Sequence, residues 1–153
     1  MTEFTPEKII EIFKSTNHFG NDQGVQIQVS EDGNYFQTMT TVEKHLSSPG
    51  ICHGGAVSAF MDSVLGFAAL YEGAKDKKLC STVEYKINFI KPVYLGDKLK
   101  GIGHIEYKGN SLVVVSGEIV DDKSGEIKAK GLGTFNLYPY EKKEFINEYL
   151  QRS

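Results

Sequence analysis

The chain has 153 residues, 40% of them hydrophobic and 11% aromatic, with a formal net charge of −3. That composition suits a globular protein of single-domain size, able to bury roughly two thirds of its unfolded surface without disulfide staples. Lys and Arg are spread without a basic block, which argues against a nucleic-acid partner; no signal-like segment opens the chain, and its longest apolar stretch, residues 56–71, is broken by Ser58, Asp62, Ser63 and Gly66, which argues against a membrane span.

In chain order, Thr5 and Pro6 before "EKIIEIFKS" read as a capped helix start, with Ile9, Ile10 and Phe13 as its apolar stripe. "GVQIQVS" alternates Val25, Ile27 and Val29 with Gln26 and Gln28. Its turn "EDGN" leads into "YFQTMTTVEKH", and the pair predicts a hairpin. The greasy stretch from Ala56 to Tyr71, preceded by Gly54 and Gly55, then predicts one long helix. Four further strands follow: "STVEYKINFI", with Val83, Tyr85, Ile87 and Phe89 on one face and Thr82 on the other; "KLKGIGHIEYKG"; "SLVVVSGEIVD"; and "EIKAKGLGTFNLY". Gly101, Gly103, Gly131 and Gly133 within strands point to bulges or close backbone approach. "YEKKEFINEYLQ" predicts a closing helix with Phe145, Tyr149 and Leu150 as its apolar side. Cys52 and Cys80, the only cysteines, are expected to stay reduced in a cytoplasmic protein.

The order predicts an α+β protein in which an antiparallel sheet wraps one greasy helix. Its uncovered edge strands favour oligomerisation. At 100° per residue, Gly55, Ser58, Ala59, Asp62, Gly66, Ala69 and Gly73 share one stripe of the helix; Val57, Phe60, Val64, Phe67 and Tyr71 lie opposite. The bulky side suits the concave face of a sheet. The small side lets something approach the helix backbone, and it carries the acid.

The helix start also carries chemistry. First-turn amides lack internal partners and hold the positive end of the dipole, and glycine lets a ligand oxygen reach them. A carbonyl oxygen at Gly54 and Gly55 would be polarised. Asp62 lies seven residues beyond Gly55, roughly 10 Å along the axis. Two helices meeting antiparallel at a two-fold axis would instead bring the amides of one to the carboxylate of the other. The plainer readings are a tight packing turn for the glycines, a structural acid for Asp62, a structural histidine for His53 and a small core residue for Cys52. No nucleophile elbow and no zinc-ligand spacing among His18, His45, His53 and His104 is present, so no metal is expected.

The segment "PGICHGGAVSAFMDSVLG" resembles the H-G-G-x6-D signature of hotdog-fold acyl-CoA thioesterases of the phenylacetate-degradation type, and the likeness continues through "STVEYKINFIKPVYLGDKL" and "AKGLGTF". The resemblance implies a hotdog fold over residues 1–153 with its core at about residues 25–138: an antiparallel sheet of about six strands around one long central helix, with short terminal helices. It implies a homodimer, often a dimer of dimers, and an acyl-CoA substrate hydrolysed without a cofactor. The Gly54 amide would bind the thioester carbonyl and Asp62 of the partner subunit would act as base or nucleophile. Thr82, His53 and Ser47 would complete the catalytic set, with Gly55, Ser58, Lys108, Gly109 and Asn110 binding the substrate. Ser47 stands where relatives often carry Asn, and Asn110 where they often carry a basic residue; Lys108, beside Gly109, is then the candidate for the nucleotide phosphates, its alternative being a solvated turn lysine. An acyl-CoA-binding module without catalysis and a hydratase or dehydratase are the competing functions.

Overall fold

The computed structural model describes residues 3–152. Helix α1 (Pro6–Thr16) opens as its sequence predicts: the Thr5 side chain accepts from the Lys8 amide and Pro6 occupies the first turn. Asn17 caps a short second helix, α2 (His18–Asp22), that the periodicity does not announce. The hairpin is β1 (Gln26–Val29) and β2 (Tyr35–Thr40). The second strand was expected to run on to His45; it stops at Thr40, and a 3-10 turn (Glu43–His45) takes the chain into a small ladder of β3 (Leu46–Ser48) and β4 (Ile51–Cys52). The turn is held by His45, whose buried Nδ1 accepts from the Val42 amide at 3.0 Å.

The long helix α3 (Gly54–Ala74) is followed by β5 (Lys78–Phe89), β6 (Lys98–Lys108), β7 (Leu112–Asp121) and β8 (Ile127–Pro139), then α4 (Glu144–Arg152). The six long strands form one antiparallel sheet in the order β1-β2-β6-β7-β8-β5. This is the hotdog arrangement, with α3 lying in the curl of the sheet. At 21 residues and a mean hydropathy of 1.3, α3 has the length and composition of a membrane span, contrary to the reading of its sequence as too interrupted for one. Its apolar side chains pack on the sheet instead: Phe60, Met61, Val64 and Leu65 are buried against Leu99, Val115, Ile119 and Phe135.

Glycines set how closely helix and sheet meet. A Cβ at Gly101 would collide with Val64; at Gly103 it would lie 2.7 Å from the Ala68 Cβ, and at Gly131 2.7 Å from the Met61 sulfur. Close approach, not bulging, explains these strand glycines. The bulges fall elsewhere, at Thr82/Glu84, Ile105/Tyr107 and Ile119/Val120.

A second apolar cluster joins the two chain ends. Phe4, Ile9 and Ile12 meet Leu70 and Ala74 of α3, Leu79 of β5, and Ile146 and Leu150 of α4. The buried face of α4 is therefore Ile146 and Leu150, four residues apart, while Phe145 and Tyr149, expected on that side, are partly exposed.

Candidate active site

The start of α3 is held by backbone bonds between two loops. The Cys52 amide donates to Val93 O at 2.8 Å, the His53 amide to His45 O at 2.7 Å, and the Leu95 amide to Gly50 O at 2.9 Å; Thr41 Oγ1 donates to Tyr94 O at 2.6 Å. His53 is the N-cap. With φ −66° and ψ 135° it is extended, and its Nδ1 accepts from the Gly55 amide at 2.7 Å. That contact gives Gly55 its reason: a Cβ there would sit 2.8 Å from His53 Nδ1. Gly55 thus makes room for the capping ring, and its N–H is already engaged. The Ala56 and Val57 amides donate to His53 O. Among the described residues no acceptor meets the Gly54 N–H, which is exposed beside the Phe89 ring.

Two turns on, Asp62 is half-buried, and its Oδ1 accepts from Thr82 Oγ1 at 3.0 Å. No partner among the described residues meets its second oxygen. The pairing depends on a feature the sequence pattern hides. Simple alternation puts Thr82 and Tyr85 on opposite faces of β5, but the bulge at Thr82/Glu84 leaves Val83 as the extra residue, 58% exposed, and turns both Thr82 and Tyr85 toward α3. Ser58 Oγ and Tyr85 OH are 2.7 Å apart, and Tyr85 OH also donates to Ser58 O at 3.1 Å. Tyr85 is the site residue that sequence reasoning missed. Its only signal was a hydroxyl-bearing aromatic in an otherwise apolar strand face.

These groups open into a cavity of about 750 Å3 that follows the small-residue stripe of α3 past Gly55, Ser58, Asp62, Ser63 and Gly66 to Leu70. The Ser63 hydroxyl is buried there with no hydrogen-bond partner among the described residues. Cys80 also lines it. Burial, with Asp62's negative charge in second place, pushes the Cys80 thiol up to about 12, so it is protonated and unreactive at neutral pH.

The remaining candidates lie apart from this constellation. Ser47 is exposed on β3 and does not line the cavity. Lys108 is neither a solvated lysine nor a free cation: it pairs with Asp76 at 2.8 Å and Glu72 at 3.3 Å near the end of α3. Burial alone would lower its pKa, but hydrogen bonds to Asp76 and Glu72 outweigh that and hold it raised. The Gly109 amide closes its hairpin on Leu112 O, and Lys78, not Lys108, reaches Asn110, donating to its O at 2.6 Å and its Oδ1 at 2.8 Å.

A helix in the curl of an antiparallel sheet, with an unpaired amide at its start and a hydrogen-bonded carboxylate two turns on, defines a hotdog hydrolase-type site. The thioesterase superfamily profile matches residues 49–128, which hold the helix start, Asp62 and Thr82. A Saccharolobus solfataricus protein, provisionally named an esterase, is 31% identical over 130 residues, covering 84% of this chain and 89% of its own. The acyl-coenzyme A thioesterase PaaI of Escherichia coli is 25% identical over 100 residues, 65% of this chain and 69% of its own; the human acyl-coenzyme A thioesterase 13 is 24% identical over 139 residues, 90% and 96%. Among solved structures, the E. coli PaaI protein superposes with a TM-score of 0.77 at 18% identity, covering 87% of this chain and 93% of its own. A Streptococcus pneumoniae thioesterase solved with coenzyme A gives 0.71 at 22%, covering 83% and 97%. The chain belongs to the thioesterase superfamily. Within it, the chain is a PaaI-type hotdog thioester hydrolase.

Proposed function

We propose that the protein hydrolyses acyl-CoA thioesters at a site shared by two subunits. The observation that carries this reading is the Asp62 carboxylate, held on one oxygen by Thr82 and left open on the other where it lines the cavity along α3. The names of the E. coli and human relatives, both acyl-coenzyme A thioesterases, support the substrate class.

In this mechanism the thioester carbonyl accepts a hydrogen bond from the Gly54 N–H, where the helix dipole stabilises charge growing on the oxygen. Asp62 takes a proton from water as the water oxygen bonds to the carbonyl carbon. Collapse of the tetrahedral adduct breaks the C–S bond, and the CoA thiolate leaves with the proton. In the nucleophilic variant the Asp62 oxygen attacks first, expels the thiolate and forms an anhydride that water then opens. Thr82 fixes the carboxylate in either case.

Gly54 and Asp62 of one chain are separated by two helical turns, so the reading assigns them to different subunits. β5 is the outermost strand on its side of the sheet, twelve residues long, with Val83 and Phe89 exposed along it. An unpaired edge of that length and apolarity suits antiparallel addition of a second copy. The nucleotide phosphates are assigned to Lys78 and the Gly109–Asn110 turn in place of Lys108, whose charge is matched by two acids.

Release of free thiol from acyl-CoA, followed by a thiol-reactive chromophore, tests the reading. The protein is expected to release thiol and the Asp62→Asn variant to lose that activity while its circular dichroism is unchanged. Tight acyl-CoA binding without thiol release would replace the hydrolase with a binding module.

A further inference from the structure

Two hydroxyls beside Asp62 take no part in the mechanism above. Ser58 and Tyr85 both line the cavity, and both are partly buried. Ser58 stands four residues before Asp62 on α3, so the two side chains are neighbours on one stripe, with about 5–6 Å between their Cβ atoms. Tyr85 reaches the stripe from β5, just past the bulge that turns this part of the strand toward the helix.

A count of protons fixes how the pair is bonded. Tyr85 OH lies 3.1 Å from the Ser58 carbonyl oxygen and 2.7 Å from Ser58 Oγ. The carbonyl only accepts, and a phenol has one proton to give. Both contacts are hydrogen bonds only if Tyr85 donates to the carbonyl and Ser58 Oγ donates to the Tyr85 oxygen. Ser58 Oγ then has no proton left for the cavity and presents lone pairs alone. The carboxylate is in the same condition: Thr82 donates to Oδ1, and Oδ2 is left as an acceptor.

From these observations we infer that Ser58 Oγ and the Asp62 carboxylate together hold the attacking water by its two O–H bonds. Tyr85 is the positioning residue that keeps the Ser58 proton out of the way. One water proton goes to Asp62 as the water oxygen bonds to the carbonyl carbon. The other O–H donates to Ser58 Oγ and stays intact. With both O–H bonds turned to the helix, a lone pair of the water faces the thioester carbonyl. One subunit then supplies every group that handles water, and its partner supplies the amide that polarises the carbonyl. The inference rests on the hydrolase reading and adds to it how the nucleophile is aimed.

A purely structural role for Tyr85 makes a different prediction. By helix register the Ser58 carbonyl accepts from the Asp62 amide, so the Tyr85 hydroxyl would merely brace the turn that carries Asp62. Loss of the brace would then slow every nucleophile alike. Methanol separates the two roles. It has one O–H bond, which Asp62 requires, so it gains nothing from Ser58 Oγ.

The test is cleavage of an acyl-CoA in buffer containing methanol, with free acid and methyl ester measured together. Tyr85→Phe and Ser58→Ala are each expected to slow hydrolysis about two- to tenfold, the usual strength of one hydrogen bond, and to raise the ester-to-acid ratio by a similar factor. The double variant is expected to hydrolyse no more than about twofold slower than the slower single variant, because the two hydroxyls act as one unit. An ester-to-acid ratio unchanged in either variant, no ester from parent and variants alike, or parental hydrolysis in either variant would overturn the water assignment while leaving the hydrolase standing. No thiol release by the parent from any acyl-CoA would sink the hydrolase reading and this inference with it.

Discussion

The two ends of α3 are built from the same stripe of small residues and put it to opposite uses. At the N-terminal end the stripe is open: Gly55 is exposed with Gly54 beside it, the Gly55 amide is spent on the His53 cap, and no acceptor among the described residues meets the Gly54 amide. At the C-terminal end the stripe is covered: Ala69 and Gly73 are buried, and beside them α1 and α4 pack on Leu70 and Ala74. A Cβ at Gly73 would already lie 3.0 Å from Leu137 and 3.3 Å from the Lys78 carbonyl oxygen. Small residues thus admit a ligand where the chain leaves them bare and admit packing where the chain ends fold back. Spacing along the helix does not distinguish the two; what lies over each end does.

If the contrast holds, changes to the carboxylate and its partner at the open end act on turnover, and changes at the closed end act on stability. The largest effect is expected for Asp62→Asn, which removes the general base and should lower kcat by about 10²- to 10⁴-fold, with little change in the urea midpoint. At the other end, Leu70→Ala opens a cavity in the second cluster and is expected to cost about 2–5 kcal/mol in urea denaturation. Thr82→Val removes a hydrogen bond to a charged group and should slow turnover about ten- to a hundredfold, by the usual strength of such bonds. Retention of the parental rate would show that Asp62 is oriented without it.

Smaller effects probe the corner itself. Gly55→Ala forces the His53 ring from its cap, and loss of that cap should destabilise the protein by about 0.5–2 kcal/mol. His45 gives the corner a pH dependence. Burial, with the Lys44 charge in second place, holds its pKa below the ordinary 6.5, and its Nδ1 must be unprotonated to accept from the Val42 amide. The unfolded chain therefore binds the proton more readily. The stabilisation is complete above about pH 6.5 and is lost as pH falls through the folded value, with a slope of at most about 1.4 kcal/mol per pH unit from this group. Denaturation curves between pH 5 and 8 should show that slope in the parent and a flatter one in His45→Asn.

The sequence displayed α1 through its cap and stripe, the long central helix through its two faces, and the sheet through strand alternation. It displayed the H-G-G corner and Asp62 by type and spacing. Hidden were features decided by register and tertiary contact. The bulge that turns Thr82 and Tyr85 toward α3 breaks the alternation on which strand faces are read. The division of labour between Gly54 and Gly55 depends on where the His53 ring lies. The pairing of Lys108 with Glu72 and Asp76 joins residues more than thirty positions apart in the chain, beyond any local pattern. The buried side of α4 is chosen by the angle at which it docks, and four apolar residues in nine offered two faces.

The sharpest check asks whether one site draws on two subunits. Gly54→Pro deletes a single N–H: position 54 is the first of the helix, where proline is accepted, and His53 already has the extended conformation that a following proline requires. This variant and Asp62→Asn should each be nearly inactive. Co-refolded in equal amounts, they should regain up to about a quarter of parental thiol release, since half the dimers would be mixed and each would hold one intact pair. A mixture no more active than its two components would contradict a shared site and return the amide and the carboxylate to the same chain.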